Sequence, residues 1–324
     1  MWTFLARRLM QSVVVIIGVT LISFISLQIG GDPTYLFVSE SASTEEIETV
    51  RARLGFDRPL HVQYLSYVWN VLHGDFGVSL SYGQPAMQIV LEAMPATIEL
   101  TIVSLVFAIG LSIPLGIYAA LRRGKPADGG IMTLAMLGQS IPNFWMGIMM
   151  IMFFGLYWRW FPISGHVPFL EPLFEGDFAT AFRNLPQSLY YMIMPAIAIG
   201  TYTLARNARL VRSSMLEVLQ QDYVRTARSK GISERRVIVN HALRNAWLPV
   251  VTMIGLEFGF VLGGVVVVET VFSYPGIGRL AFNAINQRDI PVVQASVILI
   301  AMIFIFLNLI VDLIYARLDP RVKY

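Results

Sequence analysis

The side chains that most often do chemistry are few in this 324-residue sequence, and they form no reactive group. The chain holds no cysteine, which excludes disulfides and thiol chemistry. Its four histidines, His61, His73, His166 and His241, lie far apart and lack the close spacing of metal ligands. No polar segment combines a nucleophile, a general base or a set of metal ligands. The sequence therefore predicts neither an enzyme nor a metal protein.

One segment comes close to a nucleotide-binding motif. GIYAALRRGK, residues 116–125, ends in the Gly-Lys pair of a phosphate-binding loop. Ala119 stands where that loop needs its first glycine, and Pro126 follows the lysine where a serine or threonine would bind Mg²⁺. We therefore expect no cofactor in this chain.

Three acidic residues, Glu99, Glu257 and Asp312, lie within apolar runs, where a charge costs about 2.5 to 3.5 kcal/mol on insertion scales. Glu99 and Asp312 are near the ends of their runs, so we expect them to reach interfacial water. Glu257 lies deeper. It faces a translocation path or makes a structural hydrogen bond to a neighbouring helix, and the sequence leaves both open. No series of carboxylates or histidines accompanies it, which disfavours a proton relay.

The apolar runs themselves decide the fold class. Hydrophobic residues make up 56% of the chain, charged residues 14%, and the mean hydropathy is +0.62. Runs of about 20 apolar residues are long enough to cross a bilayer as helices. Six are predicted as spans, namely 9–29, 97–121, 131–158, 189–209, 249–270 and 292–314. The first is too long for a signal-peptide core and no cleavage site follows it, so we expect a retained helix. The prediction is an all-α polytopic membrane protein with six transmembrane helices.

The basic residues predict the orientation of these spans. With a cytoplasmic N-terminus, 17 of the 24 Lys and Arg residues fall on the cytoplasmic side. Such an excess follows the positive-inside rule, so both termini should be cytoplasmic. The net charge of +3 then reflects membrane topology, and no nucleic-acid partner is predicted.

The segments between spans predict the domain organisation. We expect a first transmembrane helix within 1–30, an extracytoplasmic lobe over 31–96, and a core of five spans over 97–324. In the lobe, Ser43 or Thr44 can cap a helix that Gly55 ends. Residues 159–188 look like an irregular loop, and 210–248 form a basic cytoplasmic segment.

Within that basic segment, residues 222–245 predict two short helices joined by a glycine bend. Gly231 can adopt the left-handed conformation that ends the first helix, and Ser233 can cap the second. Tyr223, Ala227 and Lys230 lie along one stripe, where the small Ala227 would let another surface approach closely. The alternative is a solvated basic helix on anionic lipid.

The segment VLGGVVVVETVFSYPGIG, residues 261–278, predicts an irregular connection after the fifth span. Irregular backbone near a bilayer is tolerated only against protein or a wet cavity. We therefore predict that this connection contributes to an outer gate, with a plain surface turn as the alternative. The predicted gate residues are Glu269, Tyr274, Pro275, Gly276 and Gly278.

The basic segment also carries a resemblance. RTARSKG, with Leu243 following twelve residues after its glycine, resembles the Glu-Ala-Ala signature loop of ATP-binding cassette (ABC) importer permeases. Arg225 and Thr226 depart from the general signature, as do His241 and Arg244. The longer stretches DYVRTARSKGISERRVIVNHALRNAWLPVVT, ETVFSYPGIGRL and DLIYARLDPRV resemble the peptide/nickel class of these permeases.

The resemblance implies a type I importer fold and half of a heterodimeric pore, in the cytoplasmic (inner) membrane of a bacterium or archaeon. It also implies three kinds of protein partner: a second permease, two cytoplasmic ATPases that bind ATP and Mg²⁺, and an extracytoplasmic solute-binding protein. The implied solute is a di- or oligopeptide. The residues implied in ATPase coupling are Tyr223, Arg225, Thr226, Ala227, Lys230, Gly231, Ser233, Arg236, His241 and Arg244. Two other classes stay open: an ion-coupled secondary transporter that uses Glu257, and a non-transporting membrane scaffold.

Overall fold

The computed structural model describes residues 2–29, 32–39 and 41–318, and this part of the chain is built from α-helices. The helices are α1 Trp2–Ile29, α2 Thr44–Leu54, α3 Leu60–Leu72, α4 Ala86–Leu121, α5 Pro126–Ser140, α6 Asn143–Met150, α7 Leu170–Phe174, α8 Phe178–Leu219, α9 Asp222–Ser229, α10 Glu234–Arg236, α11 Arg244–Val271, α12 Ile277–Asn286 and α13 Ile290–Leu318. Two π-helical turns, Ile151–Tyr157 and Val237–Leu243, continue α6 and join α10 to α11. The predicted all-α class is confirmed.

Each predicted span falls on this helical framework. Among the described residues, four helices are long and apolar enough to cross a membrane, and α5 with α6 makes a fifth if the pair counts as one span. The four are α1 over Met10–Gln28, α4, α8 and α13 over Ile290–Leu313. The remaining predicted span, the fifth, covers 249–270 and lies inside the 28-residue helix α11. Six spans are therefore consistent with the structure.

The third predicted span was wrong in its shape. A single helix was expected over 131–158, whereas α5 and the helix Asn143–Tyr157 are bent by 102° relative to each other. The break lies at Ile141, whose backbone is extended, with φ −86° and ψ 124°. The next residue is Pro142, whose ring disfavours a helical conformation at the residue before it.

The loop predicted over 159–188 is also shorter than expected. It contains α7, and α8 begins at Phe178, where the Asp177 side chain accepts a hydrogen bond from the Thr180 N–H. Pro186 and Pro195 lie inside α8, which ends at Leu219, beyond the predicted end of the fourth span. The proline signals were therefore misread, because neighbouring helices support a proline-containing helix inside a membrane protein.

The predicted lobe contains the expected capped helix. Ser43 is the N-cap of α2 and accepts a hydrogen bond from the Glu46 N–H at 3.2 Å, while Gly55 ends the helix with φ +75°. The lobe prediction ran to residue 96, but α4 already begins at Ala86.

The chain divides into two compact units. One contains residues up to Met94 together with Gly276–Ile305, and its core includes Val90, Ile277 and Val292. The other contains Pro95–Pro275 and, of the described residues, those from Phe306 to Leu318. Its main core is a separate cluster that includes Leu100, Met192, Met194, Val265 and Tyr274.

Glycine allows two helices of the second unit to approach closely. A Cβ atom added to Gly200 of α8 would lie 2.9 Å from the Ser104 carbonyl oxygen of α4, and one added to Gly116 of α4 would lie 2.6 Å from the Ala208 carbonyl oxygen of α8. Both distances are shorter than a van der Waals contact. The α4–α8 contact therefore requires glycine at both positions.

Candidate functional site

The basic segment forms the predicted bend between two helices. Helix α9 ends at Ser229, and Gly231 has φ +73°, the left-handed conformation that the sequence predicted. Ser233 occupies the N-cap of α10, but its side chain makes no capping hydrogen bond. The expected cap is therefore right in position and wrong in its contact.

An ion pair holds the bend instead. The Arg228 guanidinium donates to both oxygens of Glu234, with Nη2–Oε1 at 2.7 Å and Nε–Oε2 at 3.1 Å. This hydrogen-bonded guanidinium lowers the pKa of the Glu234 carboxyl below its ordinary value of 4.5. The sequence shows both residues six positions apart, but only the bend brings them into a bidentate geometry.

Ala227, the small residue at the centre of the predicted stripe, packs against the following helix of the same chain. It is buried, with Val224 and Val237, in a small cluster between α9 and the following π-helical turn. The small side chain therefore allows α9 and the next helix to approach each other. Of the other predicted coupling residues, His241 is partly buried and the rest are exposed: Tyr223, Arg225, Thr226, Lys230, Gly231, Ser233, Arg236 and Arg244.

The basic segment is joined directly to α11, the helix that contains the fifth predicted span. The chain is helical without a break from Glu234 to Val271, through α10, the π-helical turn and α11. Asn245, at the start of α11, donates from Nδ2 to the Tyr223 hydroxyl of α9 at 3.0 Å. Ala242 and Ala246 pack with Val211 and Met215 of α8. A displacement of the basic segment would therefore be passed on to α11.

Glu257 of α11 is 1% exposed and contacts α8. Thr203 donates from Oγ1 to Oε2 at 3.0 Å, and Arg206 Nη1 lies 3.5 Å from Oε1. That separation is within ion-pair range, but the geometry leaves Oε1 without a hydrogen bond among the described residues. These contacts favour the structural role for Glu257, one of the two roles that the sequence left open.

Asn207 adjoins this polar cluster and was missed. It is 1% exposed, and neither amide atom has a hydrogen-bond partner in the described chain. Buried amides without partners are uncommon in proteins. One feature of the sequence could have indicated this residue: an asparagine stands directly after Arg206 near the end of an apolar run.

The prediction for Glu99 was wrong. Instead of reaching water, its side chain is buried, and Oε1 accepts the backbone N–H groups of Phe169 at 2.8 Å and Leu170 at 2.5 Å. His166 Nε2 lies 2.9 Å from Oε2, and the Tyr274 hydroxyl lies 3.4 Å from the same oxygen. One carboxylate of α4 therefore fixes the 166–170 segment and contacts the chain that follows α11.

Two predicted gate residues lie in this region of the second unit. Glu269 is fully buried and accepts a hydrogen bond from Thr97 Oγ1 at 2.7 Å, and Tyr274 is 1% exposed. Between α11 and α12 the backbone is irregular, as predicted, and Ser273 has a positive φ of 53°. Pro275 is exposed, whereas Gly276 and Gly278 are buried at the N-cap and first turn of α12.

A further buried ion pair joins α5 to α8. Asp128 accepts two hydrogen bonds from Arg212, at 2.6 Å from Nε and 2.8 Å from Nη2. In the sequence analysis Arg212 was counted only as a cytoplasmic charge, because nothing local pairs it with a residue 84 positions away.

Among the described residues, no group of three or more His, Cys, Asp or Glu side chains could hold a metal ion.

Two family models match this chain, and together they cover all of it except residues 102–111. Residues 112–324 match the model described as "Binding-protein-dependent transport system inner membrane component". Residues 1–101 match the model of the N-terminal part of a binding-protein-dependent transport system membrane component. The two matches together cover both units of the structure.

Individual relatives are similar over their full length. The chain is 42% identical over 337 residues to the dipeptide transport system permease protein DppB of Escherichia coli (strain K12), covering 100% of this chain and 99% of that one. It is 41% identical over 341 residues to the di/tripeptide transport system permease protein DppB of Pseudomonas aeruginosa (strain UCBPP-PA14), with the same coverage. It is also 39% identical over 325 residues to a putative peptide transport system permease protein of Brucella abortus (strain 2308), covering 100% of both chains.

Proposed function

This chain belongs to the family of binding-protein-dependent transport system inner membrane components, and from that premise we propose that it forms half of the pore of an ABC importer for di- or oligopeptides. The observation that carries the proposal is the full-length similarity to peptide permeases together with the basic segment continuous with α11. The chain is a multi-pass membrane permease, and ATP hydrolysis is the task of separate subunits.

The proposed partners follow from the surfaces that the chain offers. Two cytoplasmic ATPases, which bind ATP and Mg²⁺, dock on residues 222–245 through the exposed side chains on either side of Gly231. A second, similar permease completes the pore, and a solute-binding protein delivers peptide at the extracytoplasmic side. Both termini then lie in the cytoplasm of a bacterium, in agreement with the distribution of basic residues.

The mechanism couples this docking to the opposite end of α11. When ATP closes the ATPase pair, the docked segment moves with it. Because the helix is unbroken from Glu234 to Val271, that movement reaches Glu269 and the 272–278 connection. The pore then opens outward to receive peptide from the binding protein, and hydrolysis returns it to the inward state. We assign the outer gate to Glu269, Tyr274, Pro275, Gly276 and Gly278.

Gly231 provides the test of this mechanism. The complete complex is purified with its ATPases, reconstituted into liposomes and supplied with peptide-loaded binding protein. We expect Gly231→Val to abolish stimulated ATP hydrolysis and uptake of labelled dipeptide while the complex stays assembled or its ATPases dock weakly. The bend needs φ +73°, which a β-branched residue rarely adopts.

Gly124→Val is the matched control. Gly124 has φ +75°, and like Gly231 it has open space around its Cβ position, so the substitution causes the same backbone strain outside the coupling segment. Normal stimulation of Gly231→Val would contradict the coupling mechanism. Equal loss in both variants would show that strain alone causes the effect.

The ion-coupled alternative makes the opposite prediction. It would require Glu257 as its engine and would leave 222–245 dispensable. In the same liposomes, we expect Glu257→Gln to retain ATP-driven uptake, because Thr203 can still donate to the amide oxygen. Uptake driven by an ion gradient and lost in that variant would favour the alternative.

A further inference from the structure

A cavity of about 810 Å³ lies in the first unit, at the level where its spans end. Phe24 and Leu27, from the last turns of the first span, line it together with Ile290 and Pro291, from the first turn of the last span. Arg53 of α2 and Arg58, just after that helix, line it as well. The cavity thus runs from apolar span ends to a polar segment, as the headgroup region of a bilayer does.

Three hydrogen-bond donors in the cavity wall lack acceptors. The side chains of Arg53 and Arg58 are exposed, and neither guanidinium has an ion pair or a hydrogen bond within the described chain. Gln294 of α13 is 8% exposed, and its amide Nε2 has no hydrogen-bond partner among the described residues. Buried amides without a partner are uncommon in proteins, and a bound ligand or an ordered water can supply the missing acceptor.

The charge of the lining specifies the ligand. Of the described lining residues, Asp75 is the acidic one, and its Oδ1 already accepts the Gly77 N–H at 2.9 Å. Two arginines against one acid leave a net positive wall. Arginine forms paired hydrogen bonds with phosphate and carboxylate groups. The guanidinium groups of Arg53 and Arg58 therefore favour a ligand with such an oxyanion.

The apolar half of the lining specifies the remainder of that ligand. Aromatic rings of Phe37, Phe56 and Phe76 line the cavity beside the span ends. A free anion would leave these rings uncovered, whereas a glycerol backbone and the first carbons of acyl chains would cover them. The volume also falls within the usual range for ligand sites, about 300 to 1,000 Å³.

We propose that this cavity is a binding site for an anionic phospholipid. Arg53 and Arg58 hold the phosphodiester, Gln294 donates to a headgroup or ester oxygen, and the phenylalanine rings pack against the glycerol and upper acyl carbons. Such a lipid would join the first and last spans to the α2 segment at the membrane surface. This proposal does not depend on the solute that the chain transports.

The test compares lipid retention in matched variants. The complete complex is reconstituted into nanodiscs that contain equal amounts of phosphatidylglycerol and phosphatidylcholine. After its release from the nanodiscs, native mass spectrometry measures how many lipids of each kind it retains. Wild type should retain one more phosphatidylglycerol than Arg53→Gln/Arg58→Gln. The loss of one guanidinium–phosphate contact corresponds to roughly tenfold weaker binding or more. Gln294→Leu should also reduce retention, although both arginines are present.

Arg51→Gln is the control for surface charge. Arg51 lies on the same helix as Arg53, but it pairs with Asp32 at 2.6 Å and is outside the cavity lining. This variant should retain the lipid as wild type does. Equal retention by Arg51→Gln and the double arginine variant would overturn the proposal, and so would equal retention of phosphatidylcholine and phosphatidylglycerol.

A free phosphate is the other source of the same chemistry. Millimolar inorganic phosphate or glycerol phosphate is added to the nanodiscs before release. The lipid proposal predicts that phosphatidylglycerol stays bound, because the apolar contacts belong to the lipid alone. Displacement of the lipid by either soluble anion would overturn the lipid assignment and identify a phosphate site.

Discussion

The buried carboxylate of Glu99 allows a magnitude to be worked out from its contacts. Three groups of the 166–170 segment lie within hydrogen-bond distance of it: the Phe169 and Leu170 amides at 2.8 and 2.5 Å, and His166 at 2.9 Å. Glu99→Gln keeps the shape and one carbonyl oxygen for the amides. It removes the charge, and hydrogen bonds to charged groups contribute about 1.5 to 3 kcal/mol each.

We expect one such contribution to be lost in Glu99→Gln. Local opening of the 166–170 segment should become easier by about 1.5 to 3 kcal/mol, which corresponds to roughly tenfold to hundredfold faster exchange of the amides it protects. Hydrogen–deuterium exchange followed by mass spectrometry measures this on peptides covering 166–172, in the purified complex. Glu99→Ala should have a larger effect, because both backbone amides then lose their acceptor.

Glu171→Gln is the control for the Glu99 measurement. It makes the same chemical change close to the same segment, but Glu171 is exposed. Hydrogen–deuterium exchange over residues 166–172 should be as fast in Glu171→Gln as in wild type. If Glu99→Gln and wild type exchange at the same rate over 166–172, the carboxylate does not hold the segment, and the reading of Glu99 is refuted.

Three further predictions concern the helices and the bend. Gly200→Val should prevent correct packing of α8 on α4 and lower the yield of folded chain, which size-exclusion chromatography measures. Gly110→Val is the control and should leave that yield unchanged, because there is open space at the Cβ position of Gly110. Asp128→Asn should lower the free energy of unfolding by up to about 3 to 5 kcal/mol, because the charge of Arg212 is left without a partner. The midpoint of thermal unfolding should then be lower than for the control Asp222→Asn, which changes an exposed side chain. Because Arg228 lowers the pKa of Glu234, their ion pair should stabilise the bend above about pH 4.5, and this stabilisation should be lost as the pH falls through the lowered pKa. The pair is exposed and contributes about 0.2 to 1 kcal/mol. Arg228→Gln should therefore remove a small pH dependence of hydrogen–deuterium exchange over residues 222–236.

The bend in the basic segment could be predicted because its signals are local. Gly231 needs only its own backbone conformation, and the helices on either side are marked by residues within a few positions. The same holds for α2, which begins at Ser43 and ends at Gly55 as expected. The spans could be predicted from composition alone, since a bilayer requires long apolar helices.

The contacts that fix the helices could not be predicted in this way. Glu99 has its partners at 166–170 and at Tyr274, and Asp128 has its partner at Arg212. Nothing in a single sequence pairs residues so far apart. Pro142 and Pro186 show the same limit, since one breaks a span and the other lies within a helix, and only the packing around each decides the outcome.

The central claim is that this chain is one subunit of an ATP-driven importer. It is tested most directly by gentle-detergent purification of the chain from its native membrane, with identification of every chain that comes with it. We predict recovery of ATPases that carry phosphate-binding loops, together with a second, similar permease. Recovery of this chain alone, stable and able to move solute without ATP, would contradict the claim.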